Sequence, residues 1–225
     1  MQSDEPRTRI LLAAGPVFAE KGYKSATVRE ICQAAEVNVA SINYYFGDKE
    51  RLYIETVKEA RKLRGERFSF PQWLDSDSAE KRLRDYIRTM LFRMIGEETA
   101  PWHGQLMMRE VLRPTSACRE LVEEYFRPDF ELLMTLLGEL LPEDVPTHEL
   151  RKLGFSVIGQ CLFYRVAGEV AQMLTPEDEF ADECRVDQLA EHIARFTLAA
   201  VGAEQPWTTG CQPTTDPPKT VGVEP

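Results

Sequence analysis

The 225-residue sequence has no apolar stretch approaching the roughly 20 consecutive residues that a membrane-spanning helix requires. Its first nine residues are polar and lack the charged and then apolar segments of a secretory signal peptide. Hydrophobic residues still make up 43% of the chain, which is enough for a sizeable core. We therefore expect a cytoplasmic globular protein that does not associate with a membrane.

Cysteine and histidine are too few and too scattered to form a disulfide framework or a metal site. The five cysteines are odd in number, and no Cys-x-x-Cys pair occurs. The three histidines show no His-x-x-x-His or His-x-Glu spacing. We expect reduced cysteines with mainly structural roles, no metal and no cofactor.

Motifs of catalytic chemistry are also lacking. Neither a Gly-x-Ser-x-Gly elbow nor a phosphate-binding glycine loop is present. A dyad of Cys161 with a histidine would need a tertiary contact that the sequence does not indicate, and such a cysteine is more often a small core residue. We expect that the chain is not an enzyme. An enzyme with a reactive cluster in residues 70–200 is the alternative.

Positive charge is in short supply, since the formal net charge is −10. The imbalance is uneven along the chain. Residues 1–64 carry 11 basic and 9 acidic side chains, a net of +2, whereas the remainder carries 16 and 28, a net of −12. An acidic body would repel nucleic acid from every surface except the N-terminal one.

Residues 28–49 are predicted to form two short helices, a tight turn between them and the start of a third helix. Thr27 and Glu30 form a capping-box pattern, in which each side chain bonds the backbone N–H of the other residue. Helical spacing of apolar residues continues the first helix through Val28, Ile31, Ala34 and Ala35.

The second of these helices spans about Val39–Phe46 and is capped by Asn38 or Ser41. Ile42 and Phe46 form its inner face. A helix of this size fits the major groove of B-DNA, which is about 12 Å wide. Asparagine pairs with adenine edges, tyrosine hydroxyls reach phosphates or bases, and an ammonium meets phosphate. The outer face and the residue that follows it supply these groups: Ser41, Asn43, Tyr44, Tyr45 and Lys49.

Residues 10–57 (ILLAAGPVFAEKGYKSATVREICQAAEVNVASINYYFGDKERLYIETV) resemble the N-terminal domain of TetR-type transcriptional repressors. The matching motifs are A-x-x-x-F-A-E-K-G-Y, T-V-R-E-I, A-x-V-x-x-x-x-x-x-Y-Y-F and K-E-x-L-Y. The resemblance implies phosphate contacts by Tyr45 and Lys49. It also implies base contacts by Ala40, Ser41, Asn43 and Tyr44, and groove-flanking positions for Thr27 and Arg29.

Two positions depart from the pattern of that family. Glu36 stands where the turn commonly has glycine, and a non-glycine residue at positive φ costs on the order of 1 kcal/mol. Pro16 lies inside the first helix, where a proline costs about 3 kcal/mol unless the helix is kinked. Neither residue touches the recognition face.

The whole pattern predicts an all-α protein with three parts. Residues 1–67 are expected to form a helix-turn-helix DNA-binding domain, residues 68–201 a larger helical domain for ligand sensing and dimerisation, and residues 202–225 a disordered tail rich in proline and threonine. The linker is expected at 68–78. Further helices are predicted near 48–67, 79–95, 102–113 and 115–141, the last of which contains Pro128.

Two later helices are predicted to form a homodimer interface. The helix predicted over 147–174 has a core, residues 154–170 (GFSVIGQCLFYRVAGEV), that is apolar nearly all round, and a helix without a polar face is buried on more than one side. Residues 186–201 repeat apolar side chains at spacings of three and four, as a coiled-coil seam does. Two such helices from each subunit would form a four-helix interface, although both could instead pack within one subunit.

Residues 107–142 and 158–167 are similar to the CecR-type branch of the TetR-type repressors, which implies a small-molecule sensor. Drug-sized ligands use mostly apolar cavities with a few polar groups. Large, adaptable side chains in the second domain are therefore the candidate ligand-binding residues, or else ordinary core: Phe92, Trp102, Met107, Met108, Arg109, Phe126, Phe130, Phe163 and Tyr164.

The combined interpretation is a dimeric, ligand-responsive transcriptional repressor. Its reading helices would lie one helical turn of double-stranded DNA apart, ~34–36 Å, on a palindromic operator. A small apolar or amphipathic effector would release the DNA by favouring another spacing. A structural DNA-binding protein without a ligand is the second hypothesis, and an enzyme with an ancillary DNA-binding head is the third.

Overall fold

The computed structural model of the chain describes residues 5–96, 100–176 and 185–202, and the regular structure of these residues is helical, which confirms the all-α prediction. None of the described helices is both long and apolar enough to cross a bilayer. The predicted tail lies outside the described residues from position 203 onward. In chain order the elements are α1 (Glu5–Ser25), α2 (Val28–Ala35), α3 (Val39–Phe46), α4 (Lys49–Arg67), α5 (Ala79–Ile95), α6 (Trp102–Leu112), α7 (Ser116–Leu121), a π-helical segment (Val122–Phe126), α8 (Arg127–Gly138), α9 (Thr147–Val166), α10 (Gly168–Leu174) and α11 (Val186–Gly202).

Helices α1 to α4 form an N-terminal head around one apolar core. The backbone of α1 leaves helical geometry at Gly22 (φ 73°, ψ 169°), and Pro16 lies within the helix. Burial of each large apolar side chain stabilises the head by about 1.5–3 kcal/mol. The fully buried members include Ile10, Leu11, Phe18, Ile31, Ile42 and Leu52.

The core of the head extends beyond position 67. Leu106 of α6 and Ala117 and Leu121 of α7 are buried in the same cluster as the residues of α1 to α4. Helix α6 packs along both α1 and α4. Any displacement of α6 or α7 is therefore transmitted to the head through close-packed side chains, which have little room to deform.

A second core lies among α5, α8, α9 and α11. It is aliphatic except for Tyr86 and Cys161, and helix α5 lies at its centre because it packs against all three of the other helices. Its fully buried members include Leu83, Ile87, Leu91, Leu133, Leu137 and Val157.

The single helix predicted near 115–141 is three elements. Thr115 is the N-cap of α7, and its Oγ1 accepts a hydrogen bond from the N–H of Ala117 at 3.2 Å. A π-helical segment then precedes Pro128, which occupies the first turn of α8. Proline lacks an N–H and its ring clashes with the carbonyl four residues earlier, and the wider π turn accommodates both effects. Helix α8 ends at Gly138, before Leu141.

The helix predicted over 147–174 is two helices, so that prediction is corrected. Ala167 has φ −118° and ψ 23°, which ends α9 at Val166, and α10 begins at Gly168. Glycine is about 1 kcal/mol less favourable than alanine in the interior of a helix, so interrupting the helix before Gly168 costs little free energy. The helix predicted over 186–201 is confirmed as Val186–Gly202. Leu189 and Ile193 of its apolar seam are buried in the second core, whereas Phe196 is exposed. Its role in a dimer interface stays a prediction.

Candidate DNA-binding surface and cavity

Helix α2 begins with the predicted capping box. The N–H of Glu30 donates to Thr27 Oγ1 at 3.3 Å, and the N–H of Thr27 donates to Glu30 Oε2 at 2.9 Å. A hydrogen bond from Lys21, followed by those from Thr27, lowers the pKa of Glu30 to about 2. This carboxylate ties α1 to the start of α2. Arg29, the preceding residue of α2, is exposed.

The turn between α2 and α3 has the left-handed residue expected for a glycine position. Glu36 has φ 54° and ψ 44°, and the N–H of Val37 donates to the carbonyl of Cys32 at 3.0 Å. A side chain in this conformation costs about 1 kcal/mol. The turn is closed by backbone hydrogen bonds, so Glu36 adopts the family geometry without the family residue.

Helix α3 has one buried and one exposed face. The carboxamide Oδ1 of Asn38 caps it by accepting from the Ser41 N–H at 2.9 Å, which selects Asn38 from the two predicted caps. Ile42 and Phe46 anchor the inner face. On the outer face Asn43 is exposed, and Tyr44 is exposed by 82%.

Tyr45 and Lys49 are more restrained than the tip of the helix. Tyr45 is half-buried and packs against the core of the head, with its ring 5.0 Å from that of Tyr44. Lys49 Nζ lies 4.8 Å from the centre of the Tyr23 ring and 3.4 Å from the carbonyl of Lys24. A cation–π contact of this kind holds an ammonium in place without neutralising its charge.

The eight residues predicted to bind DNA lie at the start of α2, in α3 and at the start of α4, and none of them is buried. Their contacts with DNA stay a prediction. Sequence reasoning passed over Val39, which is 49% exposed in the first turn of α3 beside Ala40. A valine beside Ile42 reads in sequence as a core residue, and only the geometry of the folded helix shows that it is exposed.

A cavity of about 740 Å³ lies within the helices that follow the linker. Methionine and aromatic side chains dominate its wall, and Arg127, Asp129, Glu131 and Arg151 add charge. The volume and the apolar lining fall within the range of small-molecule sites. The lining residues are Tyr86, Met90, Met94, Val111, Cys118, Val122, Phe126, Arg127, Asp129, Phe130, Glu131, Met134, Arg151, Phe155, Ile158 and Leu162.

Residues 79–201 match the family described as the C-terminal domain of the HTH-type transcriptional dual regulator CecR, and residues 10–56 match the bacterial regulatory proteins of the tetR family. The chain belongs to the TetR family, in its CecR-like branch. It is therefore a DNA-binding transcriptional regulator of a family whose members are not enzymes.

Individual relatives agree with this membership. CecR of Shigella flexneri is 24% identical over 217 residues, which cover 88% of this chain and 97% of that protein. A TetR-like regulator from Rhodococcus sp. RHA1 shares the fold with a TM-score of 0.65 at 18% identity, over 91% of this chain and all of that one. The fatty acid degradation regulator FadR of Bacillus halodurans superposes with a TM-score of 0.59 at 19% identity, over 88% and 97% of the two chains.

Of the nine side chains predicted to bind a ligand in this TetR-family protein, Phe126 and Phe130 line the cavity and seven do not. Phe92 stacks on Phe68, with ring centres 5.6 Å apart. Tyr164 packs against the second core, and Phe163 is 48% exposed beside it. These side chains lie on faces of their helices that do not border the cavity. Sequence spacing shows which residues share a face but not which face borders a cavity.

The α6 members of the predicted set serve the head instead. Trp102 lies so close to Gly15 of α1 that a Cβ there would be 2.4 Å from its ring. Met107 packs against the core of the head, and Met108 is half-buried but does not line the cavity. Arg109 donates to the carbonyls of Ala19 and Glu20 at 2.8 and 2.7 Å, which ties α6 to the end of α1.

The basic end of α4 also connects the two halves of the chain. The guanidinium of Arg64 donates to the carbonyls of Phe92, Arg93 and Gly96 at the end of α5. Arg61 pairs with Asp129 of α8. These side chains join the head to the second half of the chain.

The cysteines and histidines do not assemble a reactive site in the residues that the structure describes. Burial raises the pKa of the Cys161 thiol to about 12, so it stays protonated and unreactive at neutral pH. No cluster of three or more potential metal ligands occurs within the described ranges. His148 and His192 are exposed, and Cys184 and Cys211 lie outside the described residues.

Proposed function

We propose that the protein is a dimeric, ligand-responsive repressor that reads a palindromic operator with α3, in the cytoplasm where that DNA is accessible. The observation that carries this proposal is the arrangement of α3. Ile42 and Phe46 anchor one face in the core, while Asn43 and Tyr44 project from the other. A helix held in this way presents hydrogen-bonding side chains to base edges at little further entropic cost.

The proposed dimer uses α9, α10 and α11. Isolated exposed apolar residues are normal, whereas a large exposed apolar patch marks an interaction surface. Phe163 and Val166 of α9 are 48% and 53% exposed, Met173 of α10 is 82% exposed and Phe196 of α11 is 60% exposed, and both α10 and α11 pack against α9. A two-fold partner would cover these side chains and place two copies of α3 on the same side of a duplex.

The proposed effector is a small apolar or amphipathic molecule bound in the cavity of about 740 Å³. The volume suits a drug-sized compound, and the adaptable methionine lining suits several shapes. The similar FadR of Bacillus halodurans is a fatty acid degradation regulator, which supports an amphipathic class of effector. The cavity also favours this proposal over a structural DNA-binding protein, whose second domain would need no such space.

Selection of bound sequences from random double-stranded DNA tests the proposal, because a dimeric reader recovers an inverted repeat. Asn43→Ala should then weaken operator binding by about 10-fold or more, because a bidentate hydrogen-bonded pair with a base is worth about 1–3 kcal/mol. Gln105→Ala is the matched control, since it removes an exposed amide from α6. Recovery of no preferred sequence, or equal affinity of both variants, would refute the proposal.

A further inference from the structure

Asp129 lies in the wall of the cavity and accepts hydrogen bonds from side chains of two helices, α4 and α5. Its Oδ2 accepts hydrogen bonds from Arg61 of α4 and, at 3.0 Å, from Nη1 of Arg93 of α5. Its backbone carbonyl accepts from the hydroxyl of Tyr86, also of α5, at 3.0 Å. The exposed fractions of the three charged side chains are 19% for Asp129 and 11% for each arginine, so solvent screens these ion pairs only weakly.

The charges of this cluster do not balance. Two guanidinium groups share one carboxylate, and the arginines also act on each other. Burial lowers the pKa of Arg93, the positive charge of Arg61 acts in the same direction, and Asp129 opposes both. With the carboxylate in place, α4 and α5 are attracted through it. With the carboxylate displaced, Arg61 and Arg93 would face each other and repel.

The backbone around Asp129 is also the least regular part of the cavity wall. The π-helical segment ends at Phe126, and Pro128 follows it. Phe126, Asp129 and Phe130 all line the cavity. An occupant that moves either aromatic ring would therefore move the turn that carries the carboxylate. π-helical turns often lie at functional sites, where their looser hydrogen bonding allows rearrangement.

Helix α4 carries the DNA-reading helix with it. Asp48 caps α4 directly after Gly47, which ends α3, and Leu52 of α4 is buried in the same core as Ile42 of α3. A shift of α4 therefore changes the position of α3.

We propose that Asp129 is the positioning residue that couples occupancy of the cavity to the position of α4, and through α4 to operator affinity. Its carboxylate converts a displacement of the cavity wall into repulsion between Arg61 and Arg93. This inference rests on the proposed function, since it concerns how an operator-binding protein is regulated. It goes beyond that function because a protein with a cavity and a DNA-reading helix does not need this cluster of Asp129, Arg61 and Arg93.

The test uses the full-length protein, the operator recovered by selection and a permanent occupant in place of an unknown effector. Met134→Trp places an indole ring in the cavity from α8, and Leu162→Trp does so independently from α9. Each is combined with Arg61→Met or with Lys58→Met. Lys58 is the matched control because it also bridges α4 to the following helices, through Glu120 and Glu124, which do not line the cavity.

Either tryptophan should weaken operator binding by about 10-fold in the wild type and in Lys58→Met. In Arg61→Met it should weaken binding by less than about 2-fold, because the contact that carries the coupling is missing. Asp129→Asn should itself weaken operator binding by about 10-fold, and adding Arg61→Met should restore it by removing the repulsion. Thermal unfolding followed by circular dichroism identifies any variant that fails to fold. If Asp129→Asn is such a variant, the comparison of Arg61→Met with Lys58→Met still tests the inference by itself.

Equal responses of the Arg61→Met and Lys58→Met proteins would overturn the inference, as would wild-type operator affinity in both tryptophan variants. A purely structural role of Asp129 would lower the unfolding temperature without changing the ratio of filled to unfilled affinity. Failure of the wild type to select any sequence would instead refute the proposed function. The two failures are therefore distinguishable.

Discussion

The hydroxyl of Tyr53 on α4 donates a hydrogen bond to the carboxylate of Glu110 on α6, and both side chains are buried. The N–H of Thr115 donates to the same carboxylate at 3.1 Å, and the Thr115 hydroxyl also lies within hydrogen-bonding distance of it. Burial, followed by the hydrogen bond to Glu110, raises the pKa of Tyr53. One fully enclosed acid thus joins the head to the start of α7.

Tyr53→Phe should destabilise the protein by about 1–3 kcal/mol, because it removes one donor from a buried carboxylate and leaves the apolar packing unchanged. Urea denaturation of the two proteins measures the difference. Tyr23→Phe is the control, since the Tyr23 ring packs nearby on Tyr53 at 5.2 Å but its hydroxyl does not bond Glu110. A Tyr53→Phe protein as stable as the wild type would show that the hydrogen bond contributes nothing.

The capping box should make helix α2 sensitive to acid. The folded-state pKa of Glu30 is lowered from 4.5 to about 2, so its contribution to stability is present above pH 4.5 and is lost as the pH falls toward 2. The wild type should therefore unfold at a higher temperature than Glu30→Gln at pH 6, and this difference should shrink as the pH falls from 4.5 to 2. A difference that stays constant over that range would contradict the assignment.

Gly15 should be intolerant of any side chain. A Cβ at this position would lie 2.4 Å from the nearest carbons of the Trp102 ring, so Gly15→Ala should destabilise the protein by about 1–3 kcal/mol. Trp102→Leu in the same chain should recover much of that loss by vacating the space. Denaturation of the two single variants and the double variant measures the coupling. Additive effects would mean that the two residues do not press on each other.

The proposed dimer surface can be tested with a single charge. Phe163→Glu should raise the dissociation constant of the dimer by about 10-fold or more, because it would place a carboxylate in the proposed apolar interface. Sedimentation equilibrium measures the shift. Leu74→Glu is the matched control, since Leu74 is 69% exposed but lies in the linker. An unchanged dimer in Phe163→Glu, or equal dissociation of both variants, would place the interface elsewhere.

Local signals accounted for much of the head. The capping box of Thr27 and Glu30, the cap of α3 at Asn38 and the left-handed turn at Glu36 each depend on residues within a few positions of one another. Such features are decided by short-range sterics and hydrogen bonding, which the order of residues contains directly. Helical spacing likewise predicted the buried face of Ile42 and Phe46.

The cavity was harder to predict because it depends on which faces of distant helices meet. Phe126 and Phe130 line it, whereas Trp102 turns toward Gly15 and Arg109 toward the end of α1. An aromatic or methionine side chain on a helix has the same periodicity whether it fills a core or surrounds a cavity. Composition therefore predicted a pocket but not most of its wall.

The sequence by itself determined the class of fold, the helix-turn-helix pattern and the surface that carries Asn43 and Tyr44, since all of these follow from local propensity and helical periodicity. Only the tertiary structure decided that Asp129 would meet Arg61 and Arg93, and that Glu110 would meet Tyr53. The partners in each of these pairs lie far apart in the chain, on different helices. Their encounter depends on how whole helices pack, which no short stretch of residues specifies.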